Sequence, residues 1–273
     1  MKVVLFCGGL GLRLRDYSDK VPKPLVPVGG KPILWHIMKY YAHFGHKEFI
    51  LCLGYKSEDI KNYFINYEQN LDNDFVLTGG VEREPLRNDI ADWRITFVNT
   101  GYETNIGERL AKVKPLLGTD EYFLAHYSDT ITDAPLNDWI AHFKAQNKVA
   151  SMMCVQPHVS LHSVELGEDG SVTDIRSTRS KMLINGGFFV FRRDLFDYMG
   201  EGEELVEQPF ERLIAKNALL GQHYDGFWAT MDTFKDRQSL EEIHAKGQAP
   251  WEVWKKPLPK NGEKHYATPL TQP

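Results

Sequence analysis

A length of 273 residues with 42% hydrophobic and 25% charged side chains excludes a disordered or fibrous chain and leaves room for one large buried core. With 37 acidic residues against 32 basic ones, the net charge of −5 excludes a general attraction to nucleic acid or to an anionic membrane, so any phosphate must meet a local basic site. Cys7, Cys52 and Cys154 lie scattered in apolar segments without CxxC spacing, which excludes a disulfide framework and a thiolate zinc site and predicts reduced core cysteines.

Residues 3–7 form a β-branched, apolar run stopped by Gly8-Gly9, the pattern of a buried parallel strand entering a glycine-rich turn. It is too short for a signal peptide, and nowhere is there an apolar stretch of the ~20 residues that a membrane-spanning helix needs, so the expected location is cytoplasmic. Residues 33–44 carry apolar side chains at helical spacing before Gly45. Residues 49–53 predict a second strand, and Ser57 is expected to cap a helix through residue 64. Residues 66–88 are polar and irregular and read as a surface insertion.

Further strands are predicted at 93–98, 122–125, 150–155 and 184–191, with helices at 109–116, 136–145 and 204–218. Such alternation implies an α/β fold: a Rossmann-like, three-layer, mostly parallel sheet with helices on both faces. One catalytic domain over residues 1–254 is expected, followed by a loose, Pro- and Lys-rich tail at 255–273. In sheets of this kind ligands bind at the carboxyl ends of the strands, so the residues that follow each strand carry the chemistry.

The first such segment is Gly8-Gly9-Leu10-Gly11-Leu12-Arg13-Leu14. Its glycines let backbone amides approach an anion, and the Arg13 fork can hold phosphate oxygens. It lacks the ending of a P-loop, and Leu14 stands where a dinucleotide fingerprint needs glycine, which disfavours an NAD-dependent oxidoreductase. Pro22 and Pro24 stiffen the backbone around Lys23, as befits a lysine with an assigned position.

These segments, with Gly29-Gly30-Lys31-Pro32-Ile33-Leu34-Trp35-His36-Ile37-Met38, resemble the opening of the sugar nucleotidyltransferases, and the last stretch resembles the glucose-1-phosphate cytidylyltransferase branch. In-order matches continue through Gly107-Glu108-Arg109-Leu110, Asn185-Gly186-Gly187, Met231-Asp232-Thr233 and Ala249-Pro250-Trp251. The resemblance implies a nucleotide-diphospho-sugar transferase fold and an enzyme that joins a nucleoside triphosphate (CTP) to a sugar 1-phosphate (α-D-glucose 1-phosphate), releasing pyrophosphate with the help of Mg²⁺. It further implies a homo-oligomer, while the charge balance and the lack of a spanning stretch lead us to expect neither a nucleic-acid nor a membrane partner.

By the same resemblance, Asp129 and Asp232 hold the metal, while Arg13 and Lys23 serve the reacting phosphates together with Asp129 as the catalytic set. Gly8, Gly9, Gly11, Leu12, Arg13, Lys23, Arg109 and Ser128 contact the nucleotide. Asn185 and Gly186 meet the sugar. Alternative structural roles exist for the carboxylates: Asp129 could cap the 136–145 helix, and Asp232 the helix containing Phe234.

Three departures from the family pattern stand out. Leu12 replaces the usual threonine, Ser128 and Thr130 flank Asp129 in place of glycines, and the segment around Arg176, Arg179 and Lys181 lacks the Glu-Lys-Pro that supplies a sugar-phosphate lysine. Arg179 is the expected substitute, because a guanidinium can engage two phosphate oxygens. Alternatives are the same reaction with another nucleotide or phosphorylated acceptor, or a silent sugar-nucleotide binder, which would have no need of both carboxylates.

Overall fold

The computed structural model describes residues 1–9, 21–67, 74–85, 89–157, 162–177 and 182–256. In chain order the strands are β1 (Val3–Phe6), β2 (Pro27–Val28), β3 (Lys31–Pro32), β4 (Glu48–Leu53), β5 (Phe75–Thr78), β6 (Glu82–Pro85), β7 (Arg94–Asn99) and β8 (Tyr122–Tyr127). They continue with β9 (Thr130–Thr132), β10 (Ala150–Val155), β11 (His162–Leu166), β12 (Val172–Ser177), β13 (Ile184–Arg192), β14 (Leu219–His223) and β15 (Trp228–Thr230). The α-helices are α1 (Ile33–His43), α2 (Ser57–Ile65), α3 (Ile106–Val113), α4 (Leu136–Ala145), α5 (Gln208–Ala215) and α6 (Phe234–Ala245).

Seven strands form one sheet in the order β14-β10-β13-β8-β1-β4-β7. All pairings are parallel except those of β13, which runs antiparallel to both β8 and β10. Alternation along the central strands feeds two cores. Val3, Leu5 and Cys7 of the β1 segment, with Phe49, Leu51 and Leu53 of β4, pack toward α1, α4 and Trp251. Val4 and Phe6, with Ile50 and Cys52, pack toward Leu110 and Val113 of α3 and Phe210 and Leu213 of α5. A strand buried on both faces needs an unbroken apolar run, which is why β1 is so plain in the sequence.

After β1 the chain runs to β4 and β7 on one side, then returns to place β8 on the other side of β1. This reversal is the switch point where a doubly wound sheet opens a crevice. The lone antiparallel strand has a consequence there: the beginning of β13, with Asn185, sits at the same edge as the ends of β1 and β8.

Several local expectations are corrected. The 66–88 stretch contains the antiparallel hairpin β5–β6, turned by Gly79 and Gly80, both at positive φ, within an otherwise polar segment. Ser57 is the first helical residue of α2 and not its cap; Lys56 holds the capping position in the left-handed region at φ 49. α3 begins three residues before Arg109 because Asn105 and Glu108 form a reciprocal capping box that satisfies two orphan amides. α5 begins later than residue 204, with Pro209 in its first turn, where a missing N–H costs nothing.

The C-terminal segment is pinned to α1. His36 donates from Nε2 to the Val28 carbonyl at 2.8 Å and accepts at Nδ1 from the Trp251 indole at 3.3 Å. Trp251 is 1% exposed, so two motifs far apart in sequence close one core. Of the expected tail, residues 255–273, Lys255 ends a 3-10 turn and pairs with Glu252 at 2.6 Å, and residues 257–273 lie outside the described residues.

Burial holds the pKa of His36 down to about 4, of His46 to about 4 and of His126 to about 3. Below about pH 6.5 the unfolded chain gains protons on these imidazoles that the folded chain refuses, so their contribution to stability is complete above that pH and is lost as pH falls toward the folded values. Replacing His36 by Gln, whose amide can still donate to Val28, is expected to flatten the stability-versus-pH slope by up to about 1.4 kcal/mol per pH unit in that window. Urea unfolding at a series of pH values measures this, and an unchanged slope removes His36 from the account.

Candidate active site

A cleft of about 430 Å³ opens at the carboxyl edge of the parallel strands, on the switch point between β1 and β8. Its wall includes Phe6, Gly8 and Gly9 at the end of β1, Lys23 and Pro24, Tyr127 to Asp129 at the end of β8, Thr104 to Ile106 and Arg109 around the start of α3, Glu204, and Asp232. Its volume suits a small organic ligand with several polar groups.

Lys23 opens a short 3-10 turn, Lys23–Leu25, preceded by Pro22 at φ −61 and ψ 145 and containing Pro24. The Leu25 amide bonds the Pro22 carbonyl at 2.8 Å, and the Val26 amide bonds that of Lys23 at 3.1 Å. The root of the side chain is thereby fixed. Its ammonium reaches Asp129 Oδ2 at 2.6 Å and Asp232 Oδ1 at 2.5 Å, joining residues 106 and 209 positions apart in the chain. Burial by itself would lower the pKa of Lys23, but the attraction and hydrogen bonds of Asp129 and Asp232 outweigh it and raise the pKa above its ordinary value. The ammonium stays charged.

Two three-residue strands bring the carboxylates together. β9 pairs antiparallel with β15, Thr130 opposite Thr230, and the Met231 amide bonds the Asp129 carbonyl at 2.8 Å. Asp129 just before β9 and Asp232 just after β15 therefore emerge side by side. Neither acts as a helix cap. α4 has no side-chain cap, and α6 is capped by Thr233 and Asp236 in a capping box.

Ser128 and Thr130, the hydroxyl residues flanking Asp129, tie this corner to its neighbours. Ser128 Oγ donates to the Phe6 carbonyl at 2.7 Å, locking the β8 end to β1. Thr130 Oγ1 donates to the Gly186 carbonyl at 3.3 Å and pairs with His126 Nε2 at 3.0 Å. The same carbonyl accepts the Trp228 indole N–H at 2.8 Å. Asn185 stands beside the cleft, its amide donating to the Tyr127 hydroxyl at 3.4 Å while its Oδ1 accepts the Gly187 amide at 2.9 Å. Gly187 has φ +79, and a Cβ there would meet the Tyr127 ring at 2.9 Å.

Arg109 is 3% exposed, and its guanidinium is spent on neutral acceptors at the ends of three strands. Nη1 donates to Leu53 O at 3.3 Å, Thr100 Oγ1 at 2.7 Å and Gly101 O at 3.0 Å; Nη2 donates to Gly8 O at 3.2 Å and Tyr102 O at 3.3 Å. It thus knots the segments after β1, β4 and β7 into the floor of the cleft. Gly8 is obligatory for this packing, since a Cβ on it would fall 2.0 Å from Arg109 Nη1. Burial lowers the pKa of Arg109, yet a guanidinium remains charged at any physiological pH.

The thiol of Cys7, beside this knot, is pushed up to about 12 by burial, and that of Cys52 is raised further, so both are neutral. Cys7, Cys52 and Cys154 are all free.

Gly8, Gly9, Lys23, Arg109, Ser128, Asp129 and Asp232 meet in one cleft, with Asn185 and Gly186 on its flank. Gly11, Leu12, Arg13 and Arg179 lie outside the described residues. Arg176 is described on β12, in an ion pair with Asp174. Thr104, Asn105, Tyr127 and Glu204 also line the cleft and were not anticipated from the sequence. For Asn105 a signal existed in the Asn-x-x-Glu capping spacing. Glu204, which accepts from the Ile106 amide at 3.3 Å at the start of α3, comes from 98 residues away and had none.

Chemically, the described residues of the site present two adjoining glycines, the Lys23 ammonium, and two carboxylates that can share a cation. It is equipped to gather polyanions, and of its described residues Lys23, charged and ion-paired, and Cys7, a neutral thiol, are not poised as nucleophiles. No helix among the described residues is long and apolar enough to cross a membrane.

The chain is 36% identical over 260 residues to the glucose-1-phosphate cytidylyltransferase of Salmonella typhi, covering 93% of this chain and 100% of that protein. It is 38% identical over 239 residues to the D-glycero-alpha-D-manno-heptose 1-phosphate guanylyltransferase of Campylobacter jejuni, covering 82% and 93%. In fold it resembles a UDP-glucose pyrophosphorylase solved in complex with UDP-glucose, with a TM-score of 0.66 at 14% identity, covering 90% of this chain and 98% of that one. Residues 2–233 match the nucleotidyl transferase family, and the protein belongs to that family.

Proposed function

We propose that the protein condenses CTP with a hexose 1-phosphate, α-D-glucose 1-phosphate, to give the CDP-sugar and pyrophosphate. The observation that carries the reading is the convergence of Lys23, Asp129 and Asp232 beside the Gly8-Gly9 turn at the switch point. The choice of cytidine and glucose rests on the full-length similarity to the Salmonella typhi cytidylyltransferase. A second reading, a guanylyl transfer to a heptose phosphate, is favoured by the similarity to the Campylobacter jejuni protein.

In the proposed reaction the phosphate oxygen of the sugar attacks the α-phosphorus in line and pyrophosphate departs, so the protein's work is to align two polyanions and offset their charge. Gly8 and Gly9, with Gly11, Leu12 and Arg13 that follow in sequence, hold the triphosphate. Lys23 offsets the charge developing at the transferred phosphate. Arg109 keeps the loop in register, Ser128 fixes the nucleotide edge, and Asn185 and Gly186 with Arg179 take the sugar phosphate.

Asp129 and Asp232 are assigned to Mg²⁺. Among the described residues no group of three or more His, Cys, Asp or Glu side chains gathers, whereas two hard oxygen donors already share one cation, the Lys23 ammonium. That donor set fits Mg²⁺, which takes one or two carboxylates and completes its shell with phosphate oxygens and water. When bound it would neutralise phosphate charge as a Lewis acid. We also assign residues 1–254 to the catalytic unit, on the burial of Trp251 against His36, and retain a cytoplasmic homo-oligomer as the expected form.

Pyrophosphate release from a panel of nucleoside triphosphates crossed with sugar 1-phosphates, with Mg²⁺ present, tests the reading. The highest kcat/KM is expected for CTP with glucose 1-phosphate. A higher value for GTP with a heptose 1-phosphate transfers the assignment to the second reading, and no release from any pair leaves a silent binder.

A further inference from the structure

Two carboxylates that converge on one point repel each other unless a cation lies between them, and here the cation is part of the chain. The Lys23 ammonium touches both, at 2.6 Å from Asp129 and 2.5 Å from Asp232, and its side chain is only 14% exposed where theirs are 25% and 32% exposed. It fills the space that a metal ion shared by the pair would occupy. The same lysine has a second duty in the proposed reaction, at the transferred phosphate, and with two of its three N–H donors held by carboxylates at most one is left for that duty.

We propose that Lys23 is the resident counterion of the Asp129–Asp232 pair and that a divalent cation displaces it, so the ammonium is released toward the phosphates only when metal has taken its place. The inference rests on the reading of these two carboxylates as the metal site. With the ammonium alone the cluster carries one net negative charge; with a divalent cation in its place the pair is neutral, and Lys23 carries its charge to the polyanion. Repulsion between ammonium and metal in a cleft of reduced dielectric then favours that departure. The backbone is built for a movement confined to the side chain, since Pro22 and Pro24 fix the turn that bears it. Metal-free nucleotide would meet a lysine still occupied, so metal and nucleotide binding are coupled through Lys23 without any larger rearrangement.

The test uses the full-length protein without nucleotide and Mn²⁺ as the probe. Trace acetylation mapped by mass spectrometry reads the reactivity of Lys23 against the exposed Lys216, and electron paramagnetic resonance counts bound Mn²⁺ in the same samples. Saturating Mn²⁺ is expected to raise Lys23 acetylation about fivefold or more, as the ammonium leaves its ion pairs. Lys23→Met is expected to bind Mn²⁺ about tenfold more tightly than the unaltered protein, because nothing has to be displaced. Bound Mn²⁺ with unchanged Lys23 acetylation overturns the exchange while leaving the metal site standing; this arm needs no variant. Failure of both proteins to bind Mn²⁺ overturns the exchange, which requires the metal to enter ahead of the nucleotide; repeating the count with nucleotide present tests the metal assignment separately.

Discussion

Replacing Asp129 by Asn is expected to lower kcat by about a hundredfold or more, a loss of roughly 3 kcal/mol of transition-state stabilisation, the size seen when one strong electrostatic stabiliser is removed. The amide keeps the shape of the side chain but not its charge, and Asp129 is 25% exposed, so folding should be little affected. The corner that positions it is held by other groups: the β9–β15 pairing, the bond from Met231 N to the Asp129 carbonyl, and the Ser128 hydroxyl. The same loss is expected for Asp232→Asn, whose backbone amide stays bonded to Asp236. Steady-state kinetics with Mg²⁺, beside a thermal melt to verify folding, give the answer. Near-normal kcat in both variants would remove the two-carboxylate assignment.

Arg109→Met should damage stability and nucleotide binding together. The substitution preserves much of the apolar bulk but deletes every donor to Gly8, Leu53, Thr100, Gly101 and Tyr102, in a position 3% exposed. Some of these acceptors have other partners: Leu53 O also accepts the Thr100 amide at 2.9 Å, and Gly8 O the Tyr55 amide at 3.4 Å. The expected cost is therefore about 2–4 kcal/mol, well short of that for four carbonyls and a hydroxyl left fully orphaned. Because Gly8 leads into the proposed phosphate loop, KM for the nucleotide should rise about tenfold or more while KM for the sugar phosphate moves by a few-fold at most. Arg109→Lys keeps the charge without the fork and should recover only part of either loss. Unfolding in urea and a two-substrate kinetic analysis separate the effects; a wild-type melt and an unchanged nucleotide KM would show that the knot is idle.

The elements that were easy to read are those whose burial is written into local pattern. β1 and β4 lie between two cores and need consecutive apolar residues, and α1 shows its core face at helical spacing. The short strands were not legible. β9 and β15 have three residues each, too few for any periodicity, and they exist because each supplies the other's backbone partners. Glycine- and proline-bearing boundaries misled in the same way. The capping box of α3 encloses Gly107, whose Cβ would fall 2.2 Å from the Glu203 carbonyl, so a residue that weakens the helical pattern is required by a neighbour distant in sequence.

For the site, Asp129 and Asp232 were marked only by the family resemblance, whereas sequence alone determined the Gly8-Gly9 segment after a strand and a lysine between two prolines. Those are local properties, since strand ends, glycine turns and proline constraints act over a few residues. That Lys23 binds both carboxylates, that Arg109 is buried and ties three strand ends together, and that Glu204 meets the start of α3 were decided by tertiary structure alone. The physical reason is range. A charge finds its partner through space, across 106 and 209 residues for Lys23, and no spacing along the chain encodes which carboxylates a lysine will meet once β8, β9 and β15 have folded onto one edge of the sheet.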